Sequence, residues 1–180
     1  MIIRWNTPSD QGSSITGYRV YLRRADLTYD IEHTYCDASE SLSTGCQIPL
    51  LQLRSDPFNL VLGNAVYTKV IAVNAYGDSP ASPVGEGALI VLVPDAPVDL
   101  LNDPTVTNNQ VIRLSWSDGA SNGGATIIDY RIVYDQSTGL MVTMVEGLTQ
   151  RSFVTPIGLL TEGRVYQFRV DARNSVGYSQ

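Results

Sequence analysis

Apolar and polar residues alternate along several short stretches of the chain. Ile112, Leu114 and Trp116 alternate with Arg113 and Ser115. Tyr18, Val20 and Leu22 alternate with Arg19, Tyr21 and Arg23. Tyr166, Phe168, Val170 and Ala172 alternate with Gln167, Arg169, Asp171 and Arg173. A period of two places one set on a buried face and the other on a polar face, which predicts half-buried β-strands. Val, Ile, Tyr and Phe dominate these runs, and Gly, Asn, Asp and Pro separate them, as strand and turn chemistry require. No window shows a long apolar pattern at helical spacing. Short strands with turns between them predict an all-β sandwich.

The pattern occurs twice. Ile2-Ile-Arg-Trp5 is matched by Ile112-Arg-Leu-Ser-Trp116, and Ile15-Thr-Gly-Tyr18 by Ile127-Ile-Asp-Tyr130. Further on, Leu60, Gly63, Val70, Ala72, Asn74, Gly77 and Ser79 all recur 100 residues later. Identities at one fixed offset mark an internal repeat. Tyr18 to Leu60 spans 42 residues and Tyr130 to Leu160 spans 30, so the first repeat carries an insertion of 12. The repeats divide at Val93-Pro94-Asp95-Ala96-Pro97, giving domains 1–93 and 94–180. The two Pro fix φ and predict a short, extended, stiff connector.

Composition narrows the function. The 180 residues hold 12 Lys+Arg against 18 Asp+Glu, a formal net charge of -6. An acidic chain lacks the basic stripe that displaces counterions from nucleic acid, so no nucleic-acid partner is expected. No run approaches the ~20 apolar residues of a membrane span, and Met1–Pro8 does not read as a signal peptide; a membrane anchor is not expected in this segment.

The second repeat resembles the fibronectin type III family. The resemblance rests on Pro94-Asp-Ala-Pro97, Leu114-Ser-Trp116, Asn122-Gly123-Gly124, Ile127-x-x-Tyr130-x-x-x-Tyr134, Leu160, and Tyr166-x-Phe168-Arg-Val170-x-Ala172-x-Asn174-x-x-Gly177-x-Ser179. It implies two tandem immunoglobulin-like β-sandwiches, with a tyrosine-corner hydrogen bond at Tyr166. It is silent on function, because this fold hosts adhesion, scaffolding and receptor roles alike. The first repeat departs from the pattern: the counterpart of Tyr166 is Val66, with Tyr67 on the outward register. Its Cys-bearing insertion, followed by Pro57-Phe-Asn-Leu60, also resembles repeats of very large extracellular proteins of single-celled eukaryotes. Both outer ends read as truncated, the first repeat lacking its first strand and the second its last, with Ala88–Val93 as the last strand of the first. Two readings follow: a segment of a longer array, or open edges completed by a neighbour's strand.

Cys36 and Cys46 flank a turn-rich stretch, so a hairpin can join them as a disulfide pinning an insertion with little core of its own. Free thiols are the alternative, and zinc with His33 a further one. Zinc needs about four converging ligands, and on a strand over 30–36 His33 and Cys36 would face opposite ways. His33 is the single His, which leaves a Ser or Cys nucleophile without a visible base and orienting group. Neither a catalytic nor a metal site is expected, and no cofactor. Gly123-Gly124 lacks a following Lys-Ser/Thr and reads as a flexible loop. Asp95, Asp99 and Asp103 offer oxygen ligands for calcium, but as acids spaced by apolar residues they read as solvated surface. Tyr21 and Tyr67 fall on outward registers and are the candidate contact surface, although outward Tyr also serves simply to cover strands.

These features give a non-catalytic structural segment of an extracellular filament or cell-surface scaffold. Its partners are proteins: neighbouring repeats or copies of the same protein. The alternatives are a ligand-binding or adhesion module of a receptor, and an appendage on a secreted enzyme. The first predicts many further Asn-x-x-Gly-x-Ser copies in the parent chain; the others predict an anchor or a catalytic domain outside it.

Overall fold

The computed structural model describes residues 1–85 and 87–180. The chain divides into two compact units, Met1–Ile90 and Val91–Gln180. In the first, β1 (Ile2–Arg4), β2 (Ile15–Arg23), β3 (Tyr29–Ile31), β4 (Asp37–Ala38) and β5 (Gly45–Gln47) are followed by α1 (Leu50–Arg54), β6 (Thr68–Asn74) and β7 (Gly77–Asp78). Antiparallel β1–β5 forms one sheet, and β3-β2-β6-β7, with β4 also on β2, forms the other. Ile3 from one sheet and Val20 and Leu22 from the other share one buried cluster, the signature of a sandwich.

The second unit holds β8 (Val98–Asn102), β9 (Arg113–Ser117), β10 (Asp129–Tyr134), β11 (Val142–Leu148), β12 (Ser152–Val154) and β13 (Phe168–Arg173). Its sheets run β12-β9-β8 and β11-β10-β13, all antiparallel. Leu114 and Trp116 meet Tyr130, Ile132, Val170 and Ala172 in its core. The period-two reading places these inward positions correctly: Tyr18, Val20 and Leu22 are buried, as are Leu114, Trp116, Val170 and Ala172.

Four details correct or refine the sequence reading. Ala88–Val93 is not one strand of the first unit. Gly63 N–H donates to Ile90 O and Val66 N–H to Ala88 O, at 2.8 and 3.2 Å. Leu92 N–H instead donates to Gly123 O of the second unit at 2.8 Å. The Pro94–Pro97 segment is likewise part of that unit, with Asp95 N–H on Ser121 O at 2.9 Å.

The insertion packs into the first unit's shared core and does not form one of its own. Cys36, Ile48 and Leu53 are buried in the first unit's cluster, and Leu53 lies on α1, a single helical turn that no periodicity announces. A strand over 30–36, the condition under which His33 and Cys36 would face opposite ways, does not form: β3 ends at Ile31 and the chain bends at residues 34 and 35. Finally, Gly123 is not a flexible spacer. Its φ is +73°, and a Cβ there would lie 2.2 Å from Leu92 O. Only glycine admits that approach in that conformation.

Candidate interaction surface

The repeated Asn-x-x-Gly-x-Ser motif is a hairpin clasp. Asn174 Oδ1 accepts the N–H of Val176 and of Gly177, at 2.9 and 3.3 Å. Its Nδ2 donates to Leu92 O and Asn122 O, at 2.7 and 2.9 Å. One buried amide thus ties three segments together. Asn74 repeats the role more loosely: Oδ1 accepts Tyr76 N–H at 2.9 Å, and Nδ2 donates to Ser13 O and Asp10 O at 3.2 and 3.4 Å. Ser79 and Ser179 are equivalent as well. In each case Oγ accepts the N–H of Ala72 or Ala172 at 3.0 Å. The motif is structural in both units.

Cys36 and Cys46 form a disulfide with Cα atoms 5.3 Å apart, and there are no free cysteines among the described residues. With both sulfurs bonded, the His33–Cys36 zinc arrangement has no thiolate to use. Sequence reading missed the group that shapes this region. Glu32 is 1% exposed, and its carboxylate accepts the N–H groups of Thr34 and Cys36 at 3.2 and 2.7 Å, and that of Tyr35. A buried carboxylate is tolerable when backbone donors surround it in this way.

Tyr21 and Tyr67 are half-buried. The Arg23 guanidinium lies over the Tyr67 ring at 3.8 Å, and Lys69 Nζ over Tyr29 at 4.3 Å. Tyr21 stands opposite Ile31 on β3 and Lys69 on β6. The Tyr67 and Tyr29 rings therefore carry cations on a sheet face. At Tyr166 the expected corner is present: Thr161 N–H donates to its hydroxyl at 2.8 Å.

On the second unit, Asp171 and Asp129 are buried although their registers read as polar. Strand pairing explains both. Arg131 faces Asp171 and Arg173 faces Asp129 across β10–β13, and each Arg bonds its Asp with two nitrogens. The signal was the alternating charge of Arg169-x-Asp171-x-Arg173 beside Asp129-x-Arg131, legible only with the register. Nearby, Asp118 accepts the Tyr130 hydroxyl and, at 2.9 Å, Arg151 Nε. Arg151, then Tyr130, holds the Asp118 carboxyl below its ordinary range. Burial, then Asp118, raises the Tyr130 phenol.

Beside Trp5 in the first unit lies a groove of about 330 Å³, lined by Trp5, Pro8, Tyr18, Val70, Ala72 and Pro80 among others. Among the described residues no three His, Cys, Asp or Glu side chains cluster as metal ligands, and no helix is long and apolar enough to cross a membrane. The Asp95 carboxylate accepts the N–H of Ser121, distant in sequence, and the Asp103 carboxylate accepts that of Thr105 two residues on.

Residues 95–180 match the family model of the fibronectin type III domain. Titin of Drosophila melanogaster is 30% identical over 171 residues, which are 94% of this chain and 1% of that protein. Sidekick-1 of Gallus gallus is 28% identical over 179 residues, covering 95% and 8%. Cardiac-type myosin-binding protein C of Rattus norvegicus is 26% identical over 178 residues, covering 98% and 13%. The chain therefore spans a small part of each relative. A crystal structure of consecutive titin domains aligns with 99% of this chain and 62% of its own, at TM-score 0.56 and 18% identity, a likeness of fold alone. These relatives are animal proteins, so the resemblance to repeats of single-celled eukaryotes gains no support. The chain is built as immunoglobulin-like β-sandwiches, and its residues 95–180 match the fibronectin type III domain.

Proposed function

We propose that this chain is a structural segment of an extracellular filament or cell-surface scaffold, contacting neighbouring repeats or copies of the same protein. The observation that carries the extracellular reading is the Cys36–Cys46 bond. Structural disulfides persist in oxidising compartments and are rare where thiols are kept reduced. The relatives do not decide the compartment, being a mix of cell-surface and intracellular muscle proteins.

The clasp supports a serial design. Each unit closes its hairpin with its own Asn, Gly and Ser, so each repeat is stabilised internally and further copies can be added without new chemistry. The mechanism is geometric: sandwiches hold surfaces at fixed places along a chain. A second reading, a ligand-binding or adhesion module, is favoured by the cation–aromatic face of Arg23, Tyr67, Lys69 and Tyr29.

The mass of the native, reduced polypeptide tests the array reading. A mass far above 19.6 kDa, with further Asn-x-x-Gly-x-Ser copies in its peptides, is expected. A mass near 19.6 kDa would contradict it.

A further inference from the structure

We infer that copies of this chain associate through unlike faces: the cation–aromatic sheet face of the first unit in one copy docks on the acid–apolar sheet face of the second unit in another. Strand register builds the first face. On the outward side of β3-β2-β6, Arg23 stands between Tyr29 and Tyr67, and Tyr21 between Ile31 and Lys69. Val20 and Leu22 point the other way, into the core. Arg19 and Arg24 are engaged by Asp78 and Asp30. Among the described residues, Arg23 and Lys69 bond no carboxylate. They rest instead on the Tyr67 and Tyr29 rings, at 3.8 and 4.3 Å. Lys69 is the single lysine of the chain. The rings hold both cations in place without neutralising them, so little side-chain freedom is lost when a partner binds.

The second face lies on β12-β9-β8. From Pro94 to Ile112 the sequence holds Asp95, Asp99 and Asp103 and no basic residue. β8 sets Val98 opposite Ser117 and Leu101 opposite Ser115, on the side away from the core residues Leu114 and Trp116. Val98 and Leu101 are 48% and 61% exposed. Between them the register shifts, and Asp99 takes φ +54°. Asp99 is exposed, and among the described residues its carboxylate joins no ion pair. Folding of the second unit uses neither this carboxylate nor the two apolar side chains beside it.

The two faces complement each other. One carries two cations among Tyr and Ile side chains; the other carries acids beside Val and Leu. Docking either face on its own kind would set like charges opposite each other, which is costly, whereas the unlike pairing sets Asp99 against Arg23 and Lys69. It also covers Val98 and Leu101 with Tyr21 and Ile31, and Arg and Tyr are side chains that contact centres favour. A contact between two different faces leaves one of each free at every step, so it propagates from copy to copy. This inference deepens the proposed contact between copies of the same protein and rests on that reading.

The test is sedimentation of the whole chain from micromolar to millimolar concentration, at low and high salt. Association should rise with concentration and weaken with salt. Lys69→Glu and Leu101→Lys should each weaken it by about tenfold or more. An equimolar mixture of these two variants should associate again, because each keeps one unaltered face. Arg23→Glu and Val98→Lys form a second pair of variants, so a folding defect in one protein leaves the test in place. A chain that stays monomeric at millimolar concentration overturns the inference, as does association that neither substitution weakens. Failure of the mixture to restore association also overturns it, since two like faces would then be in contact. A monomeric chain whose parent polypeptide has a mass far above its own leaves the array reading standing while this inference falls.

Discussion

Trp116 and Tyr130 meet edge to face, with ring centroids 5.6 Å apart and planes inclined by 66°. Trp5 and Tyr18 repeat the arrangement at 5.5 Å and 66°. The same aromatic joint therefore recurs in each unit. What surrounds it differs, and so do the expected responses to mutation. The Tyr130 hydroxyl is held by the Asp118 carboxylate. The Tyr18 hydroxyl reaches only Thr7 Oγ1, at 3.3 Å. Tyr130→Phe should cost about 1.5–3 kcal/mol of stability, as hydrogen bonds to charged groups do, and Tyr18→Phe about 0.5 kcal/mol. Urea unfolding of the whole chain, followed by probes in each unit, checks this.

Asn174 and Asn74 give a second contrast. Asn174→Ala leaves Leu92 O and Asn122 O without their donor and two turn N–H groups without their acceptor. The expected loss is about 2–4 kcal/mol, because buried polar groups are left unpaired. Asn74→Ala should cost less, since its bonds are longer and more exposed. Denaturation midpoints of the two variants measure the difference.

Acid and alkali should both weaken the second unit. Asp118 is held low by Arg151 and then Tyr130, and Asp135 by the N–H groups of Gln167 and then Ser137. A folded-state pKa below the unfolded one adds stability above the ordinary carboxylate value of 3.8. That stability is lost as pH falls through the folded values. Tyr130 is raised, so its contribution is present below its ordinary value of 10.0 and is lost as pH rises through the folded one. The denaturation midpoint should hold across the neutral range, fall as pH drops below the ordinary carboxylate value of 3.8, and fall again as pH rises above the ordinary phenol value of 10.0. Asp118→Asn should shrink the acid limb to the part that Asp135 supplies and reduce the alkaline limb only in part, because burial is the first cause of the raised Tyr130 phenol.

Gly123→Ala should unfold the second unit or lower its stability by more than about 3 kcal/mol, because strain and collision with Leu92 O act together. Gly139, at φ +84° with nothing within 4 Å of a built Cβ, should cost only about 1 kcal/mol as Ala. Equal effects would show that φ alone matters at Gly123.

Much of this was legible in the sequence. Period-two alternation gave the inward apolar positions of β2, β9 and β13, although Asp171 on the opposite face of β13 is buried too. The repeated Trp, Tyr, Asn, Gly and Ser marked the two joints and the two clasps. What could not be read depends on partners distant in the chain. Leu92 looked like the end of the first repeat until its bonds to Gly123 and Asn174 placed it in the second unit. Asp171 looked solvated until Arg131 was set opposite it. Glu32 gave no signal, since its donors are backbone groups of its own turn. The five residues of α1 are too few to show a helical period.

The extracellular reading rests on one bond, and thiol labelling of the denatured, unreduced protein from its native source tests it most directly. Neither Cys36 nor Cys46 should react before reduction, and both should react after it. Full labelling without reductant would contradict the account.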